Sequence, residues 1–211
     1  MKTLGASLLF VAATGIAGAQ QWEFGGAGGA SFLSNVGVSG PAGSATAGFK
    51  TGPVFSAFIG NNSHKHIGGE FRYGFMQSDL HIQSGGSEAT FAGQAHVLHY
   101  DLTLHTANSD SRHQLFVAAG GGIKIFRGTG AEAAYQPLSQ YGYFTKTQVI
   151  KPMISVGAGI KYRIAPKVYF RAEVRDYITT FPTDLIAPAP GTSFGSILQD
   201  IVPMVGISFL Y

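Results

Sequence analysis

Met204-Val205-Gly206-Ile207-Ser208-Phe209-Leu210-Tyr211 closes the chain on an alternating run. Val205, Ile207, Phe209 and Tyr211 fall on one side, and Gly206, Ser208 and Leu210 on the other. That is the two-residue period of a β-strand with one apolar face. Soluble domains usually fray into polar residues at their ends. A strand that runs to a final aromatic predicts that the terminus is itself paired.

Composition points the same way. Charged residues make up 12% of the 211 positions, about half of the usual share. Gly is abundant at 30 residues and Cys is absent. Few charges with many glycines and aromatics suit a surface that meets lipid. The formal charge of +3 is spread without any Lys/Arg cluster, so the chain lacks the basic footprint of a nucleic-acid binder. Without Cys, disulfides and thiolate metal sites are excluded. Lys2, the apolar stretch Leu4–Ala17 and the small residues Ala17-Gly18-Ala19 read as an export signal cleaved after Ala19. Residues 1–19 are therefore expected to be a signal peptide and 20–211 the mature domain. Beyond Ala19 no run of 18 apolar residues occurs, so no transmembrane helix is predicted.

Gly, Asn and Ser clusters cut the mature chain into eight alternating runs: 21–33, 47–60, 66–82, 90–106, 113–128, 146–163, 168–181 and 198–211. The connections 34–46, 83–89, 129–145 and 182–197 are long, and 61–65, 107–112 and 164–167 are short. This rhythm predicts an all-β fold, an eight-stranded antiparallel up-and-down transmembrane β-barrel with both termini at the short-turn end. In the third run Phe71, Tyr73 and Phe75 oppose Glu70, Arg72 and Gly74; in the seventh Val168, Phe170, Ala172 and Val174 oppose Tyr169, Arg171, Glu173 and Arg175. A soluble lipocalin-like barrel would turn the apolar face inward, and its outer face would carry many more Lys and Glu. The sparse, Gly-rich polar faces instead suit the crowded inside of a narrow barrel whose apolar face meets lipid.

Met204-x-Gly206-x-x-Phe209-x-Tyr211 resembles the C-terminal strand motif of bacterial outer-membrane β-barrels, with Met204 where that motif starts on a polar residue. Gly68-Gly69-Glu70-Phe71-Arg72-Tyr73 is similar to the third strand of small OmpA-like and OmpW-like barrels, in which an acidic and a basic residue point inward. The resemblance implies a bacterial outer-membrane location in the cell envelope. It implies outer-membrane lipid as surroundings and the barrel assembly machinery as a partner during biogenesis, with Gly206, Phe209 and Tyr211 as the assembly signal. It further implies a barrel without the periplasmic domain that often follows in OmpA-type proteins.

The polar faces supply the main constellation. Glu23, Glu70, Asp101 and Glu173 are expected to face Arg72, Lys124, Lys161, Arg171 and Arg175 across the lumen. Charges confined there pair because unpaired ones are costly. The same pairs could serve as a gate of a porin-like channel, as the family resemblance allows. His64-Lys65-His66 lies in a short turn and lacks a third ligand, and the odd spacing of His96 and His99 sends them to opposite faces. No metal or cofactor is therefore expected. His105 with Ser109 or Ser111, and His81 with Ser84, match no nucleophile motif, so no catalytic residue is assigned. Tyr135, Tyr141, Tyr143 and Phe144 in the third long loop offer contact residues or an interfacial rim, and Pro188 and Pro190 make the fourth extended. Pro53, Pro152 and Pro203 lie inside predicted strands, where bulges or ladder breaks are expected. The resulting expectation is a structural outer-membrane barrel with a packed polar lumen and surface loops free for interaction. The alternatives are a narrow channel for small solutes, a lipid-modifying enzyme and a soluble lipocalin-like binder.

Overall fold

The computed structural model describes residues 22–62, 64, 66–107 and 111–211; the expected signal peptide lies outside them. Eight strands close into one antiparallel barrel. They are β1 (Trp22–Leu33), β2 (Gly52–Asn61), β3 (Ile67–Gln77), β4 (Gly93–His105), β5 (His113–Gly128), β6 (Gln148–Ala165), β7 (Val168–Thr180) and β8 (Ile197–Leu210). Each pairs with its neighbours in sequence, and β8 returns to pair with β1. The seam aligns Phe24 with Phe209 and Gly26 with Ile207. Trp22 and Tyr211 exchange both backbone hydrogen bonds, at 3.0 and 2.7 Å. The terminal strand is thus paired, as its alternation predicts, and its aromatics lie beside Trp22 and Phe24.

The sense of the faces also follows the sequence. Phe55, Phe71, Tyr100, Leu102, Leu104, Val174 and Phe209 are exposed on the outer wall, whereas Glu70, Arg72, Arg171 and Arg175 are buried. Large apolar side chains left outside a closed barrel have hydrocarbon as their solvent. The inward glycines make room for long side chains. A Cβ on Gly157 would lie 2.5 Å from Arg175 Cδ, so glycine on β6 leaves space for the guanidinium arriving from β7.

The long connections differ from the expectation of open surface loops. Strands Val36–Gly40, Gly43–Phe49, Leu80–Ser84, Ser87–Phe91 and Ser193–Phe194 form a five-stranded sheet, and Gly142–Phe144 pairs with Ile186–Pro188. The second, third and fourth alternating runs each break where the barrel strand ends, at residues 50–51, 78–79 and 92, and then continue as cap strands. The hairpin at Ser84–Ser87 turns on Gly85 and Gly86, both at positive φ (55° and 82°), a conformation glycine adopts without steric cost. Alternation alone could not locate these breaks, because barrel strand and cap strand share one period.

Cap and barrel share a core. Val36, Val38, Ala47, Leu80, Ile82, Leu185 and Ile186 from the cap form one buried apolar cluster with Val54, Met76, Phe126, Leu198 and Val202 from the upper barrel. Phe49 bridges them, its ring centre 5.3 Å from Phe126 and 6.2 Å from Phe181. Tyr141 and Phe144 are buried in this core, whereas Tyr135 and Tyr143 remain exposed. The third long connection is therefore in part a core element, not simply an aromatic rim.

The prolines are accommodated without bulges. Pro53 pairs with Ala30 of β1 one residue before the β2–β3 ladder begins at Val54, and Pro152 pairs with Ile123 of β5 one residue before the β6–β7 ladder begins at Met153. Each sits where its strand has a single neighbour, so the missing N–H removes no second ladder bond. Pro203 does coincide with a ladder break. The β1–β8 register skips from Gly29–Met204 to Phe32–Ile201 without shifting. The bulge that does occur among the barrel strands lies at Arg163/Ala165, beside the β6–β7 turn.

Ile82 is fully buried at the centre of the cap. Ile82→Ala is expected to cost about 2–5 kcal/mol, and the loss should appear as faster protease cleavage within residues 34–49 and 80–91. The heat-modifiable gel mobility of the barrel should be retained. Unchanged cleavage would show that the cap has no cooperative core.

Candidate functional site

The lumen is filled by charge. Among the described residues, the fully or nearly fully buried carboxylates are Glu23, Glu70, Asp101, Glu173 and Asp200, and the buried cations of Lys and Arg are Arg72, Lys124, Lys161, Arg171 and Arg175. All nine residues expected from the sequence point inward. The tenth, Asp200, went unassigned, although the phase of Asp200 with Gly206 and Ser208 on β8 puts it on the lumen side. The nine carry one cation too many, and Asp200 completes the balance.

The backbone register places like charges side by side. Glu70 on β3 pairs in register with Asp101 on β4, and Lys161 on β6 with Arg171 on β7. Neighbouring like charges repel, so these walls are tolerable only when they face one another. The barrel brings them together. Arg171 Nη1 donates to Glu70 Oε2 at 2.8 Å and to Glu23 Oε1 at 3.1 Å. Arg175 donates to Glu70 at 2.8 Å, to Glu173 at 3.2 Å and to Asp101. Arg72 lies 2.8 Å from Glu70 and 2.7 Å from Glu173. Lys161 Nζ is 2.5 Å from Glu23, and Lys124 Nζ is 2.5 Å from Asp200.

Neutral groups complete the shell. Ser31 donates to Asp200, Ser155 to Asp101 and Asn62 to Glu23. The His99 ring lies 3.0 Å from Asp101 Oδ1 and 3.3 Å from the Tyr177 hydroxyl. Phe58 and Phe116 stack on the cations, with the Arg171 guanidinium carbon 4.1 and 4.9 Å from their centres. Cation–π contacts of this kind strengthen when water is excluded. These inward aromatics were not singled out in the sequence, since a Phe on the lumen face of an alternating run has no compositional signature. Toward the cap the lumen becomes apolar, but not in separate layers: the Asp200–Lys124 pair lies nearer the cap than the core residues Val202 and Met204 on the same face of β8, and Leu198 and Phe126 follow beyond it.

No protein-family model matches the chain, and no curated protein matches it. Among solved structures, it is similar to neisserial surface protein A, with 9% identity, 90% of this chain and 96% of that one covered, and a TM-score of 0.52. It is also similar to the outer-membrane protein OprG from Pseudomonas aeruginosa, with 10% identity, 90% and 95% coverage and a TM-score of 0.57. The chain is a small outer-membrane β-barrel in fold. With an apolar outer wall, this barrel resides in the bacterial outer membrane.

Among the described residues, the other candidates of the sequence do not assemble into a second site. The His66 ring lies 3.0 Å from the His105 carbonyl. His96 and His99 do face opposite ways: His96 bonds the outward Tyr73 hydroxyl at 2.8 Å, and His99 joins the plug. Among the described residues no group of three metal-ligating side chains gathers. His105 Nε2 contacts Thr103 at 3.0 Å; Ser109 lies outside the described residues. Ser84 donates to the Ser44 carbonyl and the Tyr141 hydroxyl, at 2.9 and 3.1 Å, and not to His81.

His81 sits on the cap's outer sheet face, diagonal to the Lys50–Glu88 ion pair of 3.1 Å. Burial pushes its imidazole pKa down; Glu88 opposes this and Lys50 adds to it. A histidine held neutral in the folded state contributes stability above its ordinary value near 6.5, and that contribution is lost as pH falls. Protease cleavage of the cap is therefore expected to accelerate as pH drops from 7 to 5, and His81→Asn should flatten the profile. A variant with the same pH slope would assign the dependence elsewhere.

Removing Asp200 tests the plug. Asp200→Ala strands the buried Lys124 and is expected to cost about 3–5 kcal/mol, read from the urea midpoint in lipid vesicles with Trp22, the sole tryptophan, as reporter. Lys124→Met in the same chain should restore most of that loss. A single variant as stable as the parent would contradict the pairing.

Proposed function

We propose that the protein is a closed outer-membrane barrel that serves as a rigid platform, with its folded extracellular cap as the surface offered for interaction. The observation that carries this reading is the double seal of the lumen. Five acids and five bases pair within the barrel, and an apolar core that begins among them at Val202 and Met204 continues through Leu198 and Phe126 into the cap. An eight-stranded barrel has an interior just wide enough for side chains. A continuous water path would have to break both the ion pairs and the apolar core at once.

Enzyme chemistry is not favoured: His105 Nε2 contacts Thr103, and Ser84 donates to the Ser44 carbonyl and the Tyr141 hydroxyl rather than to His81. The channel alternative would need the ion pairs to swap, yet the apolar residues among and beyond them, such as Val202, Leu198 and Phe126, offer swapping charges no solvation.

In planar bilayers the refolded protein is expected to show no stepwise conductance. Arg171→Ala should lower stability but leave the membrane closed, since the Lys124–Asp200 pair and the apolar core nearer the cap are untouched. Discrete openings in the parent, or openings created by Arg171→Ala alone, would favour the channel.

A further inference from the structure

The periplasmic rim carries cations that the plug does not use. The β4–β5 and β6–β7 turns lie side by side there, joined by the Arg163 amide donating to the Arg112 carbonyl at 2.9 Å. A cleft of about 510 Å³ opens between them, lined by Arg112, Arg163, Ile164, Ala165 and Pro166.

Two features give this cleft a direction. Arg112 Nη2 donates to the Tyr162 hydroxyl at 2.8 Å, and its guanidinium carbon stands 5.5 Å from the same ring's centre. Tyr162 belongs to the outward row with Phe170 and His113, and its ring lies 5.0 Å from that of His113. The cation is thus fixed where the lipid-facing wall ends. Arg163 and Ile164 are exposed on the adjacent turn, which places a second guanidinium and an aliphatic side chain at the same height. Among the described residues, the side-chain partners of Arg112 are a phenol and an aromatic ring, and neither neutralises its charge. The sequence puts one carboxylate in these turns, Asp110, which lies outside the described residues.

A guanidinium presents a planar fork of donors that matches phosphate oxygens. Basic side chains at a membrane interface attract anionic lipids, and aromatic side chains settle at the same level. We propose that this cleft binds the phosphate of an anionic phospholipid in the periplasmic leaflet. Arg112 and Arg163 hold the phosphate, and Tyr162, His113 and Ile164 rest against the first carbons of its acyl chains. The inference requires the membrane-spanning fold but not the closed lumen, so a conducting barrel would leave it standing.

The test is lipid retention by the full chain in detergent micelles, read by native mass spectrometry while phosphatidylglycerol or phosphatidylcholine is titrated in. The parent is expected to retain phosphatidylglycerol saturably and in preference to phosphatidylcholine. Arg112→Gln/Arg163→Gln should weaken that retention about 10- to 30-fold, from the contribution of two basic residues at an anionic surface. Should the double variant fail to fold, Arg163→Gln alone, a change at an exposed side chain, should weaken it about fivefold. Arg127→Gln, at an exposed residue of the opposite rim, should leave it unchanged. Equal retention of the two lipids, unaltered retention in the Arg112/Arg163 variants, or an equal loss in Arg127→Gln would overturn the proposal. So would displacement by inorganic phosphate at matched concentration, which would mark a site for a free anion.

Discussion

A bilayer core offers no water to an unpaired backbone N–H or C=O, and each one left bare there costs several kcal/mol. That constraint dictates this molecule. A sheet exposed to hydrocarbon can have no edge, so the last strand must find the first. The mutual hydrogen bonds of Trp22 and Tyr211 and the register Phe24–Phe209 are where it does. Pro53 and Pro152 sit where their strands have one neighbour, and Pro203 sits at the gap in the closing ladder. The positions of the prolines, which look like faults in the sequence, are those a closed barrel tolerates.

Closure creates the second problem, which is charge. Alternation sends one face of every strand into a lumen too narrow for bulk water, and the strands of this chain carry like charges on adjacent walls. Glu70 beside Asp101 and Lys161 beside Arg171 would repel in an open sheet. Across the closed barrel the same residues become partners, with Arg171 and Arg175 spanning to Glu70. Buried ion pairs seldom add net stability compared with apolar packing, but breaking one is expensive. The plug therefore acts mainly as a register device: a barrel with strands slipped by one residue would turn these charges into lipid. Toward the cap, apolar packing takes a growing share, closing around the Lys124–Asp200 pair and continuing into the cap.

The cap changes what the extracellular end can do. Flexible loops adapt to partners at an entropic cost, whereas a sheet with its own core presents a fixed surface. Tyr143 is exposed on a short strand whose flanking residues Gly142 and Phe144 are buried. At the other end lies the cationic rim around Arg112 and Arg163; among the described residues the charges of the barrel, Asp176 on the outward face of β7 apart, lie in the lumen and at the two margins.

Much of this was written in the chain itself. Alternation with a period of two, short turns against long connections and a terminal strand rich in aromatics determine an eight-stranded barrel and which face meets lipid, because each is a local consequence of pleating in a solvent without water. Nine of the ten charges of the plug were legible for the same reason. Their pairing was not, since Arg175 and Asp101 are 74 residues apart and Arg175 and Glu70 are 105 apart, and only the circumference of the barrel brings them together. The cap was hidden too. Strands Gly43–Phe49 and Leu80–Ser84 continue the alternation of the barrel strands they adjoin, so no change of period marks where the membrane ends. Which side chains seal the lumen, and where the wall gives way to a folded cap, were decided by tertiary structure, because both depend on distances across a closed sheet that no stretch of sequence contains.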